Sequence, residues 1–229
     1  MLGPKKSTIM IQKNMTDTKL VTQQFFCPAT QYIASIDEDW ARLIAQVGPS
    51  GFALKTERQP YEALVRAIAY QQLHGKAAEA ILTRFKALYP GKVFPTPEDV
   101  LATEASVLRA CGFSFSKIAT IHGIANGALS GLVPTAEEAA LLPDEELIAR
   151  LVTLRGVGRW TVEMLLIFTL GRQDILPVDD FGVREGWRVL KGLPAQPKPK
   201  QLADIGKDWS PFRSTAAWYL WRSAELAKA

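Results

Sequence analysis

Four groups of residues in this chain have types and spacings that could do chemistry. Gly156 and Gly158 flank a single Val157 in "LRGVGRWT". Asp179 and Asp180 stand side by side in "LPVDDFGVREGW". Trp160 stands two positions after Gly158, and Trp221 lies in "AAWYLW", three positions after Trp218. A polar turn, "YQQLHGK", carries Gln72, Leu73 and His74 between two apolar runs. Glycines before a helix allow positive φ and let successive backbone N–H groups point outward together. With a helix dipole behind it, such a nest binds a phosphate without any basic side chain. A carboxylate at the start of the next helix is a fixed anion at the positive end of that dipole, able to stabilise a cation. Aromatic faces beside it would attract a flat cation.

Each group also has a plain structural reading. A short glycine turn can serve only to save space between helices. Asp179 or Asp180 is a good helix N-cap. Large aromatics fill helical cores. His74 reads equally well as an exposed turn histidine. The grouping, more than any single residue, carries the chemical reading.

The elements that must position these residues are helices. "DEDWARLIAQVG" is capped by Asp37 and stopped by Gly48. "PYEALVRAIAYQQ" starts on Pro60 and aligns Leu64, Val65 and Ile68. "GKAAEAILTRFKALYPG" aligns Ala78, Ile81 and Phe85. Further helical patterns are "TPEDVLATEASVLRACG", "FSKIATIHGIANGAL", "TAEEAALLPDEELIARLVTL", the segment after Trp160, "FGVREGWRVLK" and "SPFRSTAAWYLWRSAELAKA". Alternating runs of strand length are absent, so the expected fold is all-α, with roughly ten helices. The polar, aperiodic opening leads us to expect a flexible leader over residues 1–30, with one folded domain over 31–229.

Composition narrows the classes. With 229 residues, 48% of them hydrophobic, the chain can bury a sizeable core. Lys plus Arg is 27 against 23 for Asp plus Glu, a mild excess that permits nucleic-acid binding without proving it. The two cysteines, Cys27 and Cys111, form no CxxC pair, so this chain alone supplies no four-thiolate zinc or iron–sulfur site. Few cysteines point to a reducing, intracellular setting, the cytoplasm and nucleoid of a bacterium or the nucleus of a eukaryote. The longest apolar run, "MLLIFTL", is too short to cross a bilayer, so no membrane partner is expected.

With these residues in place, Leu154 to Asp180 resembles the helix–hairpin–helix DNA glycosylases, whose hairpin pattern L-x-G-[VI]-G-x-x-T is followed about twenty residues later by an essential Asp. "GRWT", "LPVDD", "YQQLHGKAA" and "WSPFRSTAAWYLW" are similar to motifs of the alkylpurine branch, the 3-methyladenine DNA glycosylase II family. The resemblance spans roughly Trp40 to Ala227. One departure is Arg155, where proline is common in the superfamily. The resemblance implies two helical lobes with a helix–hairpin–helix motif and the active site in the cleft between them. It implies Asp180 as the catalytic aspartate, with Asp179 its capping neighbour. Trp160, Met164 and Trp221 would line the base pocket. Gly156, Val157 and Gly158 would hold the DNA backbone, and Gln72, Leu73 and His74 would fill the gap left by a flipped nucleotide. The carbonyls of Val152, Leu154 and Val157 would hold a monovalent cation, Na or K. No cofactor is required.

The reaction implied is hydrolysis of the N-glycosidic bond of alkylated purines such as 3-methyladenine in damaged double-stranded DNA, by a monomer that initiates base excision repair. Glycosylases of this fold that also cut the strand resemble this chain but carry Lys at the hairpin position held here by Trp160, which has no amine for a Schiff base. Water is then the nucleophile. A purine alkylated at N3 or N7 is already cationic and leaves without strong general-acid help, which suits a site with no obvious acid. Two other readings stay open: a glycosylase for neutral lesions such as hypoxanthine or uracil, and a helix–hairpin–helix protein that binds DNA without catalysis.

Overall fold

The computed structural model describes residues 28–73 and 75–228. The described residues are helical, with no strand among them. They form two compact units, one of residues up to Phe52 together with Val178 onward, the other Ala53–Pro177. No helix among the described residues is long and apolar enough to cross a membrane.

The first unit is built on tryptophan. Its helices are a short stretch at 28–34, then Glu38–Val47, Phe181–Leu190, Pro199–Ile205 with the 3-10 turn Gly206–Trp209, and Arg213–Leu226. Trp40 packs edge-on to Trp209 at 5.4 Å between ring centroids, and Trp187 lies 5.1 Å from Trp209. All three are buried, the ordinary fate of large aromatics in a small helical core. Asp37 caps Glu38–Val47 through Oδ1, as the sequence led us to expect, and its Oδ2 accepts from Lys191 Nζ at 2.8 Å. That ion pair ties the start of one helix to the end of Phe181–Leu190. Most of the expected leader lies outside the described residues, but 28–30 are helical and Ala29 is buried. The folded part therefore begins before residue 31.

The second unit has Pro60–Tyr70 at its centre, packed against Gly75–Ala87, Phe115–Leu129 and Arg159–Phe168. Leu64, Val65 and Ile68 are all buried, as are Ala78, Ile81 and Phe85 on the next helix, so the apolar spacing marks the core faces. Two segments expected as single helices are broken. Pro143 divides one into Ala136–Leu141 and Asp144–Leu151, because a proline pushes the residue before it out of the helical region, and Leu142 is extended. The other divides into Pro97–Ala102 and Ala105–Ala110, where Thr103 leaves the helical region. The Thr103 hydroxyl bonds back to Asp99 O at 2.8 Å, a local competitor with helix continuation. The helix Pro199–Ile205 was not expected. Its only sequence signals are a proline at the first turn and Gly206 after the last.

Candidate active site

In the first unit, the aspartate and one tryptophan meet. Asp180 is the N-cap of Phe181–Leu190, and its Oδ1 accepts from Val183 N at 2.8 Å. The cap is thus Asp180 itself and not Asp179, which is exposed and corrects the expectation for that residue. The same Oδ1 accepts from Trp221 Nε1 at 2.9 Å. These two donors fix the carboxylate in a half-buried setting at the head of the helix. Phe181 follows it and is 63% exposed, an aromatic beside the carboxylate that the sequence did not single out.

Glycine makes this pairing possible. A Cβ on Gly182 would lie 2.8 Å from Trp221 Cδ1 and 3.1 Å from Asp180 Oδ1. A Cβ on Gly186 would lie 1.9 Å from the carbonyl oxygen of Leu220. Phe181–Leu190 therefore rests backbone against backbone on Arg213–Leu226, and buried Ser223 Oγ donates to Gly186 O at 3.1 Å. Neither glycine nor Ser223 stood out in the sequence. The faint signal was the spacing Gly-x-x-x-Gly, which lets two helices approach closely.

In the second unit, Asp144–Leu151 and Arg159–Phe168 form the two arms of the hairpin. Gly156 has φ +83°, and a Cβ there would lie 2.3 Å from Thr120 Oγ1; both facts demand glycine. Gly158 has an ordinary φ and nothing within 4 Å of where its Cβ would be. It is the N-cap of Arg159–Phe168, with no side chain capping that end. The expected row of successive outward N–H groups is corrected in one respect. Val157 is buried and its N–H closes the turn onto Leu154 O at 3.0 Å, so the donors on offer come from the helix start.

Arg159, not foreseen as a site residue, braces the hairpin. Its guanidinium pairs with Glu145 on the first arm, at 3.0 Å from Nη1, and with buried Glu163 one turn along its own helix, at 3.0 Å from Nε. The Glu145 carboxylate and then Glu163 hold the guanidinium well above arginine's ordinary pKa. With two carboxylates on it, this arginine acts as a strut between the arms. Trp160 is 37% exposed, and Met164, one turn on, is half-buried.

The expected cation ligands are backbone carbonyls. Val152 ends the first arm as its C-cap, and among the described residues its carbonyl and that of Val157 accept no backbone hydrogen bond outside the helices. Leu154 O accepts one, from Val157 N, and a carbonyl has a second lone pair. An oxygen-only set of this kind fits a hard monovalent cation.

The turn Tyr70–Leu73 closes through Leu73 N to Tyr70 O at 3.2 Å. Gln71 has φ −54° and ψ 129°, and Gln72 has φ +57°, so this is a type II turn with glutamine where glycine is favoured. Gln72 is exposed, and Leu73 is 40% exposed. His74 lies outside the described residues. A side chain held at a position glycine would occupy more cheaply points to use beyond the fold. Gln72→Gly should leave the melting temperature unchanged or higher, since the left-handed conformation costs an ordinary residue about 1 kcal/mol. The same variant should lose excision from duplex DNA. A drop in melting temperature with normal excision would contradict the reading of this turn.

The comparisons with known proteins identify the family. Residues 65–211 match the model of the HhH-GPD superfamily base excision DNA repair proteins. The chain is 48% identical over 199 residues to DNA-3-methyladenine glycosylase 1 of Schizosaccharomyces pombe, covering 86% of each. The solved structure of the 3-methyladenine DNA glycosylase from that yeast, in complex with abasic DNA, superposes with a TM-score of 0.82 at 46% identity, over 88% of this chain and 98% of that one. A DNA-3-methyladenine glycosidase from Bacillus halodurans gives a TM-score of 0.78 at 32% identity, over 88% and 91%. The capped aspartate, the glycine hairpin and these relatives together place the chain in the HhH-GPD superfamily of base excision DNA repair proteins, in its DNA-3-methyladenine glycosylase branch.

Proposed function

We propose that this chain is a monofunctional DNA glycosylase that hydrolyses the N-glycosidic bond of alkylated purines such as 3-methyladenine in duplex DNA, and so starts base excision repair. The observation that carries this is the Asp180 carboxylate, held by Val183 N–H and Trp221 Nε1 at the head of a helix. As the glycosidic bond breaks, the sugar becomes oxocarbenium-like at C1′. A fixed anion stabilises that charge more than it stabilises the ground state, which lowers the barrier. The same carboxylate can orient the attacking water. The aromatic face of Trp221, in the same unit as Asp180, would favour a cationic purine over its neutral parent.

Gly156, Val157 and Gly158 present the start of Arg159–Phe168 to a phosphate, and bare Gly158 allows close approach. The carbonyls of Val152, Leu154 and Val157 would hold Na or K, which adds positive charge beside that phosphate. Gln72, Leu73 and His74 form the wedge that fills the stack when the lesion leaves it. Binding of this kind reads backbone more than sequence. The protein acts as a monomer inside the cell, wherever the DNA is held.

The test is incubation with methylated DNA followed by chromatography of the released bases. Free 3-methyladenine is expected, with intact strands. Release of hypoxanthine or uracil alone would favour a neutral-lesion enzyme, and binding without any release would favour a non-catalytic DNA-binding protein. Borohydride added during the reaction should trap no protein–DNA adduct. A stable adduct would mean that a lysine attacks the sugar and that water is not the nucleophile.

A further inference from the structure

Two polar side chains outside the site residues named so far join the wedge turn to the hairpin. Lys117 Nζ donates to Ala69 O at 3.0 Å and to Gln71 O at 2.8 Å. Those carbonyls lie at the end of Pro60–Tyr70, where the helix leaves its last acceptors without internal partners and where a cation is favoured. Gln71 then reaches across the sequence. Its Nε2 donates to Gly156 O at 3.3 Å and to Thr161 Oγ1 at 3.4 Å. Thr120, one turn after Lys117 on Phe115–Leu129, occupies the space that a Gly156 side chain would need.

We propose that Lys117 and Gln71 are positioning residues that set the register of the Tyr70–Leu73 turn against the Gly156–Gly158 hairpin, so that the wedge enters the base stack where the hairpin holds the strand. This rests on the glycosylase reading given above. Lys117 bonds to two backbone carbonyls, and Gln71 to one carbonyl and the Thr161 hydroxyl, so they place the turn whatever side chains stand at 72 and 73. The turn needs such placement. It is short and exposed, and Gln72 is in a left-handed conformation that a free loop would relax. A wedge displaced by an ångström fills the wrong part of the gap, and misplacements of that size cost on the order of 100-fold in rate. A link between elements 85 residues apart in sequence also means that the hairpin and the wedge move as one body on the DNA.

A merely structural role would weaken the fold and reduce every activity alike. The discriminating measurement is single-turnover release of 3-methyladenine from two duplexes. In one the lesion faces thymine; in the other the facing strand has a gap across the lesion, so the stack is already open. Lys117→Met keeps the aliphatic stem and removes the donors. Gln71→Leu removes the amide. Each should slow release from the intact duplex by about tenfold or more, and from the gapped duplex by less than about threefold. Lys117→Arg, which keeps donors at the same site, should restore most of the loss. With an active wild-type protein, equal losses on the two duplexes overturn the positioning role, as does unchanged release from the intact one. A wild-type protein that releases no base from either duplex overturns the glycosylase reading and this inference with it.

Discussion

Asp180→Asn should reduce single-turnover excision of 3-methyladenine by at least about 100- to 1000-fold, the loss expected when a main electrostatic contact to the transition state goes. The substitution is close to a pure charge deletion here. Asn Oδ1 can still accept from Val183 N and from Trp221 Nε1, the two donors that hold Asp180 Oδ1 in place. Asn is also as good an N-cap as Asp, so the melting temperature should change little. Binding to DNA that carries a cationic-ring analogue of an abasic site should weaken more than binding to a neutral analogue, because only the cation interacts with the missing charge. Asp179→Asn is the matched control. Asp179 is exposed and caps nothing, so its loss should be small. Normal excision by Asp180→Asn, or a dead Asp179→Asn, would move the catalytic group elsewhere.

The second large effect concerns stability. Gly186→Ala should destabilise the protein by on the order of 3 kcal/mol, the upper range for overpacking a closed contact. The new methyl would lie 1.9 Å from Leu220 O and 2.5 Å from Leu220 C, which are backbone atoms with no rotamer to yield. The two helices must separate, and buried Ser223 Oγ loses its acceptor on Gly186. Trp221 is the next residue after Leu220, so its bond to Asp180 should be disturbed and excision should fall along with stability. Gly123→Ala gives the opposite sign. Gly123 is inside Phe115–Leu129 with nothing within 4 Å of its would-be Cβ, and replacing a helix-interior glycine by alanine gains roughly 0.5–1 kcal/mol. Thermal melts of the two variants check this. Shifts of the same sign would mean that close approach at Gly186 is not what requires glycine there.

The chemistry was legible in the sequence because its parts are local. A glycine-pinched turn before an apolar helix, an aspartate opening the next one and a Trp one residue after the hairpin all sit within Leu154 to Asp180. Helix faces were legible for the same reason. The spacing of Leu64, Val65 and Ile68 is a property of one helix, and all three are buried. The absence of alternating runs settled the all-α class before any contact was known.

Local signals also misled where two of them competed. Asp179 and Asp180 are both plausible caps, and composition cannot separate neighbours. The chain geometry does, by aiming the Asp180 carboxylate at Val183 N. A long apolar pattern over 135–154 read as one helix, although Pro143 cannot continue it. The row of outward N–H groups at the hairpin is broken at Val157, whose N–H turns inward to Leu154 O, a choice that depends on Val157 finding a buried place.

What only the tertiary structure decided is every contact between residues far apart in the chain. Trp221 donates to a carboxylate 41 positions earlier. Gln71 reaches Gly156 across 85 positions, and Lys117 reaches back 46 to Gln71. No periodicity encodes these pairs, because each depends on where two helices cross and how closely. That closeness comes from single glycines, Gly186 against Leu220 and Gly156 against Thr120. In the sequence, a glycine that admits another backbone looks the same as one that merely ends a helix. The sequence by itself determined which groups can do the chemistry; the packing determined which of them are held still enough to do it.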